Sequence, residues 1–235
     1  MVKFVEDELK NIRKEVFEMW ALVDEQLRTV FEAVETGDKE KAWDVIIREK
    51  RVNACDLKLD CDVEDFLVLY TPVAIDLRFL LAMYKINADL ERIGDFAENI
   101  ARFVIKHSDQ PVDAELLKKL RYTEMTSRVL EMMAVSREAL MKEDLEMANS
   151  IFAKDNLVDE INAEVTPVLA EYIGAHPDMT QLALNLKGVF LRIERAGDHI
   201  TNMAEEIVFY IDAEVLKHSS DDNKTEMALH NKKNA

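Results

Sequence analysis

The sequence predicts an all-α protein: two tandem three-helix bundles, six long antiparallel helices in all, related by a pseudo-twofold repeat. Helix breakers are scarce, with five Gly and four Pro in 235 residues, against abundant Ala, Leu, Glu, Lys and Met. Apolar residues recur at helical spacing from end to end, and no segment alternates with the two-residue period of a strand. Short motifs from the first half also return in the second.

The elements follow in order. A first helix is expected from about Phe4 to Glu35, stopping at Thr36-Gly37. Asp38 offers the N-cap of a second, although Lys41 stands where a capping box would have Glu or Gln. That helix runs to about Tyr70, where Thr71-Pro72 ends it, because a residue before proline is driven out of the α region. The third runs from near Asp76 to about Lys106, closed by Ser108-Asp109-Gln110-Pro111. Helix four is expected from about Asp113 to Met141, helix five from Asp144 to Tyr172 and helix six from Asp178 to Leu216, with the last break at Gly174 through Pro177. Beyond Lys217 periodicity is lost, so 218–235 reads as a frayed tail in which His218 and His230 are inert. The repeats are placed at 1–108 and 109–217.

The repeat is legible residue by residue. Glu49 to Asn53 aligns with Asp155 to Asp159 at an offset of 106, which also carries Asp38 onto Asp144, Glu40 onto Glu146 and Ala42 onto Ala148. Glu91-Arg92-Ile93-Gly94-Asp95 aligns with Glu194-Arg195-Ala196-Gly197-Asp198 at an offset of 103. The difference fits a shorter connection between helices five and six.

Composition narrows the function. The net charge of -17 opposes nucleic-acid backbones and anionic membranes, and makes cations and basic protein surfaces the natural partners. Cys55 and Cys61 form no CxxC pair, and nothing before Phe4 reads as a signal peptide, so a reduced, cytoplasmic setting is expected. No apolar run approaches the ~20 residues of a spanning helix; the longest, Phe66 to Ile75, is broken by Thr71 and Pro72. Any membrane contact is expected to be peripheral, through partners.

The carboxylates carry the chemical signal. Glu91 and Asp95 stand at i and i+4 on one helix face, as do Glu194 and Asp198. Like charges at that spacing cost a few tenths of a kcal/mol, and the intervening Gly94 or Gly197 costs about 1 kcal/mol relative to Ala. A local rule broken twice in the same way points to a compensating partner. By helical phase, Ile86, Leu90, Ile93, Ala97, Ile100 and Val104 form the buried stripe of helix three, and Val189, Ile193, Ala196, Ile200 and Ile207 that of helix six. The same phase sets Glu91, Asp95, Glu98 and Asn99, and likewise Glu194, Asp198 and Asn202, outside the core. That placement excludes the inward di-iron arrangement of ferritin-like bundles. Helix two adds Glu49, Asn53, Asp56 and Asp60 on one stripe; helix five begins with Asp155 and Asp159 but then has Asn162 and Thr166, so its cluster is expected to be less complete. Oxygen-only donors suit Mg, Mn, Ca, Fe or a sparsely ligated Zn. The competing expectation is a solvated acidic face. His199 lies off the stripe and reads as structural, and Arg78, Arg92 and Arg195 as surface ion-pair partners.

Thr71-Pro72-Val73-Ala74-Ile75-Asp76-Leu77-Arg78, then Asp89 to Asp95 and Asn99-Ile100-Ala101, with the second copy Glu194 to Asp198 and Asn202, resembles the PhoU family over about residues 4–216. The resemblance implies two three-helix bundles in series. It implies metal sites at Asp56/Asp60, Glu91/Asp95, Asp155/Asp159 and Glu194/Asp198, with Glu49, Asn99 and Asn202 as adjuncts. It further implies a cytoplasmic, often homodimeric adaptor that damps phosphate signalling by linking the ATPase subunit of the phosphate ABC transporter to a phosphate-sensing histidine kinase. The alternatives are a related adaptor of another phosphate transporter or storage system, a metal-free acidic adaptor, and a metal-dependent phosphohydrolase. No enzyme is expected, because the stripes lack the shaped cleft and positioned nucleophile of a two-metal hydrolase.

Overall fold

The computed structural model describes residues 2–212, and the tail expected at 218–235, with the last residues of helix six, lies outside them. Its elements are α1 (Val2–Thr36), α2 (Lys39–Tyr70), α3 (Ala74–Lys106), α4 (Ala114–Lys119), α5 (Tyr122–Lys142), α6 (Leu145–Ala175), a 3₁₀ turn at Pro177–Met179, and α7 (Thr180–Asp212). Among the described residues there is no strand, and no helix is long and apolar enough to cross a membrane.

Of the aspartates expected to start helices, Asp38, Asp113 and Asp144 cap them, whereas Asp76 lies inside the first turn of α3 behind Val73 and Asp178 lies in the 3₁₀ turn before α7. Asp38 accepts from the N–H groups of Glu40 and Lys41, Asp113 from Glu115, and Asp144 from Met147. Each satisfies donors that a helix N-terminus leaves orphaned. α2 ends on Thr71 in the left-handed region (φ 47°), directly before Pro72. Gly37 (φ 69°) closes α1, and a Cβ there would sit 2.9 Å from Pro111 Cβ.

One expected helix is two. The segment from Asp113 to Met141 breaks at Arg121, a non-glycine residue at φ 55°. The break turns Tyr122 wholly inward, where its hydroxyl donates to the Phe31 carbonyl at 3.2 Å and its ring meets Phe190 edge-on. Outside, the Arg121 guanidinium spans Glu124, Glu160 and Glu164. No Gly or Pro marks this site; tertiary contacts impose it.

α1, α2 and α3 pack as one bundle and α5, α6 and α7 as the other, and the two bundles meet through α3 against α7 and α1 against α5. Side-chain pairs show that α3 and α7 run antiparallel: Phe79 meets Tyr210, Asp89 meets His199, and His107 meets Asn185. The buried stripes read from the sequence on both helices are buried in the fold.

Candidate functional site

The site lies at two seams, α2–α3 and α6–α7, and each is organised by a glycine. A Cβ built on Gly94 would fall 3.0 Å from Glu49 Oε2 and 3.3 Å from Val52 Cγ1; one on Gly197 would fall 2.8 Å from Asp155 Oδ1 and 3.5 Å from Val158 Cγ1. Glu49 and Val52 are the offset-106 equivalents of Asp155 and Val158. The partner that offsets the helix-weakening glycine is therefore a carboxylate of the neighbouring helix, drawn against bare backbone in both halves.

The α3 and α7 carboxylates lie outside the buried core, as their phase implied, and the correction falls on Glu49 of α2. Glu49 is only 3% exposed, and Glu91, Asp95 and Glu98 are partly covered rather than free on an outer face. α3 has α1, α2 and α7 packed around it, while a strip through Leu81, Tyr84, Ala88, Arg92 and Asn99 stays exposed.

In the first half, Glu49 faces Glu91, Asp95 and Glu98, whose negative charges add to burial in pushing its carboxyl up to about 7. Gln26 Nε2 donates to Glu49 Oε2 at 2.8 Å, while Glu49 Oε1 is buried without a partner. Two turns of helix further along α2, buried Asn87 donates to Asp56 Oδ1 at 2.8 Å and to Asp60 Oδ1 at 3.0 Å. Burial, then the like charge of Asp60, raises Asp56; burial and Asp95 raise Glu91. Arg92 offers partial compensation at 3.6 Å from Glu91 and 3.5 Å from Asp95.

In the second half, Asp155, Asp159 and Asp198 each bring a carboxylate oxygen within 4.8 Å of the others. Asp155 is pushed up to about 7 by burial and then by Asp159, Asp198 and Glu194, and its Oδ1 is buried with no hydrogen-bond partner. Glu194 and Asp198 are raised for the same reasons, burial first, and Glu194 Oε2 is likewise unpartnered. Asn162, in the place of Asp56, accepts from Lys187 Nζ at 3.2 Å. The less acidic half thus holds three converging carboxylates.

The asparagines stand at the edges. Asn99 is exposed and its amide donates to the Asp95 carbonyl at 2.8 Å; Asn202 is exposed. His199 sits off both carboxylate seams, its Nδ1 2.7 Å from Asp89 Oδ1 across the α3–α7 interface and its ring against Phe96. Gln26 and Asn87 escaped the sequence reading because they lie within apolar stripes. A lone amide at a core position of an amphipathic helix was the available signal.

Oxygen-only donors, carboxylates forced together against like charge, and carboxylate oxygens buried without a hydrogen bond together fit a hard or borderline cation.

The PhoU domain pattern matches residues 16–104 and again 122–207. The chain belongs to the PhoU family. It is 31% identical to the phosphate-specific transport system accessory protein PhoU homolog of Aquifex aeolicus, over 90% of this chain and 94% of that one. It is 28% identical to PhoU homolog 1 of Thermotoga maritima, over 87% of each. The crystal structure of PhoU from Pseudomonas aeruginosa superposes with a TM-score of 0.83 at 26% identity, covering 89% of this chain and 99% of that one. The phosphate transport system regulatory protein PhoU of Streptococcus pneumoniae superposes at 0.77 with 25% identity, covering 90% and 98%. The two matched segments each contain one glycine seam, so the PhoU repeat and the acidic cradle are the same unit.

Proposed function

We propose that this protein is a negative regulator of phosphate uptake and of phosphate-starvation signalling. It acts as a cytoplasmic, homodimeric adaptor between the ATPase subunit of the phosphate transporter and a phosphate-sensing histidine kinase, with metal ions at its acidic seams. Support for the phosphate role comes from family membership and from relatives named as accessory or regulatory proteins of phosphate transport. The observation that carries the metal reading is the twice-repeated cradle, in which a glycine admits a buried carboxylate with an unpartnered oxygen. Asp155, Asp159, Glu194 and Asp198 would hold one ion or cluster; Glu49, Asp56, Asp60, Glu91 and Asp95 would hold the other, with Asn99 and Asn202 at their edges. Bound Fe, Zn, Mn or Mg would supply positive charge that fixes the two seams and presents a cationic patch on an acidic protein. The chain's own residues perform no bond-breaking step in this reading.

Two measurements test it. Deleting the gene should derepress phosphate-starvation genes in high phosphate; repression that persists would remove this role and leave another phosphate transporter or storage system as the client. Elemental analysis of untagged protein purified without chelators should find metal that is lost in an Asp95→Asn/Asp198→Asn variant. Metal-free protein that stays so after exposure to each ion would leave a bare acidic adaptor. Turnover of phosphate esters in excess Mn or Mg would contradict the adaptor reading outright.

A further inference from the structure

Two exposed rows run side by side along the antiparallel α2–α3 pair. On α2 the row is Leu57, Cys61, Glu64 and Val68; on α3 it is Leu77, Leu81, Tyr84 and Ala88. Steps of four, three and four residues keep each row on one helix face. The bonds from Asn87 to Asp56 and Asp60 set the register of the pair. Val68 thus stands level with Leu77, Glu64 with Leu81, Cys61 with Tyr84 and Leu57 with Ala88. The rows are the banks of a shallow groove open to solvent, with Val68 81% and Leu57 67% exposed.

The bundle does not need these apolar groups. At the repeat offsets the second half has Ala163 for Leu57, Gly174 for Val68, Thr180 for Leu77 and Lys187 for Tyr84, and its α6–α7 pair packs in the same way without them. Solvent-facing Leu, Val and Tyr that the fold can spare point to something that covers them.

Charge says what that is. Along this stretch Lys58 is held by Glu15 and Asp62, Lys85 by Glu206, and Arg92 by Glu91 and Asp95. Arg78 is part-buried on the α7-facing stripe it shares with Lys85 and Asp89. Exposed Glu64, in the groove's own bank, makes no ion pair among the described residues, and the groove runs on toward Asp60, Asp56 and Glu91. An anionic surface is repelled there. A second copy on the same face would set Glu64 and the acidic seam against their own counterparts. A cationic partner is not opposed, and the valley between two packed helices takes a third helix.

We infer that the α2–α3 groove docks an amphipathic helix of a partner protein, apolar on one face and flanked by Lys or Arg. Its apolar face lies on Val68, Leu77, Leu81 and Tyr84, and its cations meet Glu64 and the near end of the acidic seam. The row from Leu77 to Ala88 extends about 16 Å, three turns of such a helix. The surface depends neither on metal at the seams nor on which phosphate system the protein serves.

The probe is a fluorescein-labelled peptide of two heptads, each Leu-Lys-Lys-Leu-Leu-Lys-Leu, titrated with the full chain at physiological ionic strength while anisotropy is followed. Beside it run a scrambled peptide of the same composition and one with Glu for every Lys. Saturable binding is expected, at least about tenfold tighter than for the scrambled peptide and absent for the acidic one. Leu81→Ser and Glu64→Lys, both at exposed positions, should each weaken it about tenfold with circular dichroism unchanged. Leu184→Ser, at the repeat equivalent of Leu81, should leave it as it was. Equal loss in Leu184→Ser and Leu81→Ser, or a scrambled peptide that binds as tightly, would reduce the interaction to general acidity and overturn the inference. Sedimentation showing a wild-type dimer that Leu81→Ser dissolves would overturn it too, and assign the groove to a second copy.

Discussion

At the scale of single residues, Glu49 and Gly197 make the sharpest cases. Glu49 is raised from the ordinary 4.5 to about 7, chiefly by burial. Between those values the folded chain keeps a proton that the unfolded chain has lost, so this group favours folding at low pH. Its contribution declines as pH rises from about 4.5 to about 7 and is flat above that. Asp155, raised from 3.8 to about 7, acts in the same direction. In chelator-treated protein, Glu49→Gln should therefore be more stable than wild type by about 2–3 kcal/mol at about pH 8 and nearly equal at about pH 4, read from urea titrations. An equal difference at both pH values would contradict the assignment. Gly197→Ala gains about 1 kcal/mol of helix propensity but sets a methyl 2.8 Å from where Asp155 Oδ1 now lies. The expected result is an almost unchanged melting temperature with sharply reduced metal content; retained metal would show that the carboxylate need not approach the backbone.

Within elements, caps and breaks obey different authorities. Asp38, Asp113 and Asp144 cap their helices through bonds to the chain's next few residues, which is why they were legible in advance. The α4–α5 break at Arg121 depends on Phe31, Phe190, Glu160 and Glu164, all far away in sequence. Tyr122→Phe removes the buried bond to the Phe31 carbonyl and should cost about 1 kcal/mol, measured by equilibrium unfolding. A neutral result would mean that ring packing alone holds the break. At the α5–α6 turn, Glu143 occupies at φ 53° the place that Gly37 fills in the first half. Its carboxylate accepts from Arg13 at 3.0 Å and from Tyr210 at 2.9 Å, tying α1 and α7 to that turn.

For the whole molecule, the balance is between a sound apolar core and a surplus of negative charge. With a net charge of -17, self-repulsion opposes compaction and weakens as salt is added. Specific cation binding acts on top of that. Mn or Mg should raise the melting temperature beyond KCl of matched ionic strength, by about 2.7 kcal/mol of stability at a hundred times the dissociation constant. The increment should vanish in Asp95→Asn/Asp198→Asn. If KCl alone accounts for the rise, screening is the whole effect. The antiparallel α3–α7 pair joins the two bundles, and α3 and α7 each form one wall of an acidic seam, so charge added at either seam bears on the helices through which the bundles meet.

What the sequence by itself determined is what depends on near neighbours along the chain. Helical identity, the buried stripes of α3 and α7, the aspartate caps and the duplicated Glu-Arg-x-Gly-Asp motif were all readable, because each is set within a few turns. Angular phase said which residues share a face but not how much of that face a neighbour covers. It therefore misjudged Glu49, which lies 3% exposed against Gly94. Tertiary structure alone decided that Asp155, Asp159 and Asp198 converge while Asp56 and Asp60 are held by Asn87. The substitutions Asp56 to Asn162, Asp60 to Thr166, Asn87 to Phe190 and Gln26 to Met132 between halves become one concerted change only when the three helices of each half are seen together. The physical reason is that convergence depends on how closely helices approach, and that distance is set by what two different segments place at the same seam.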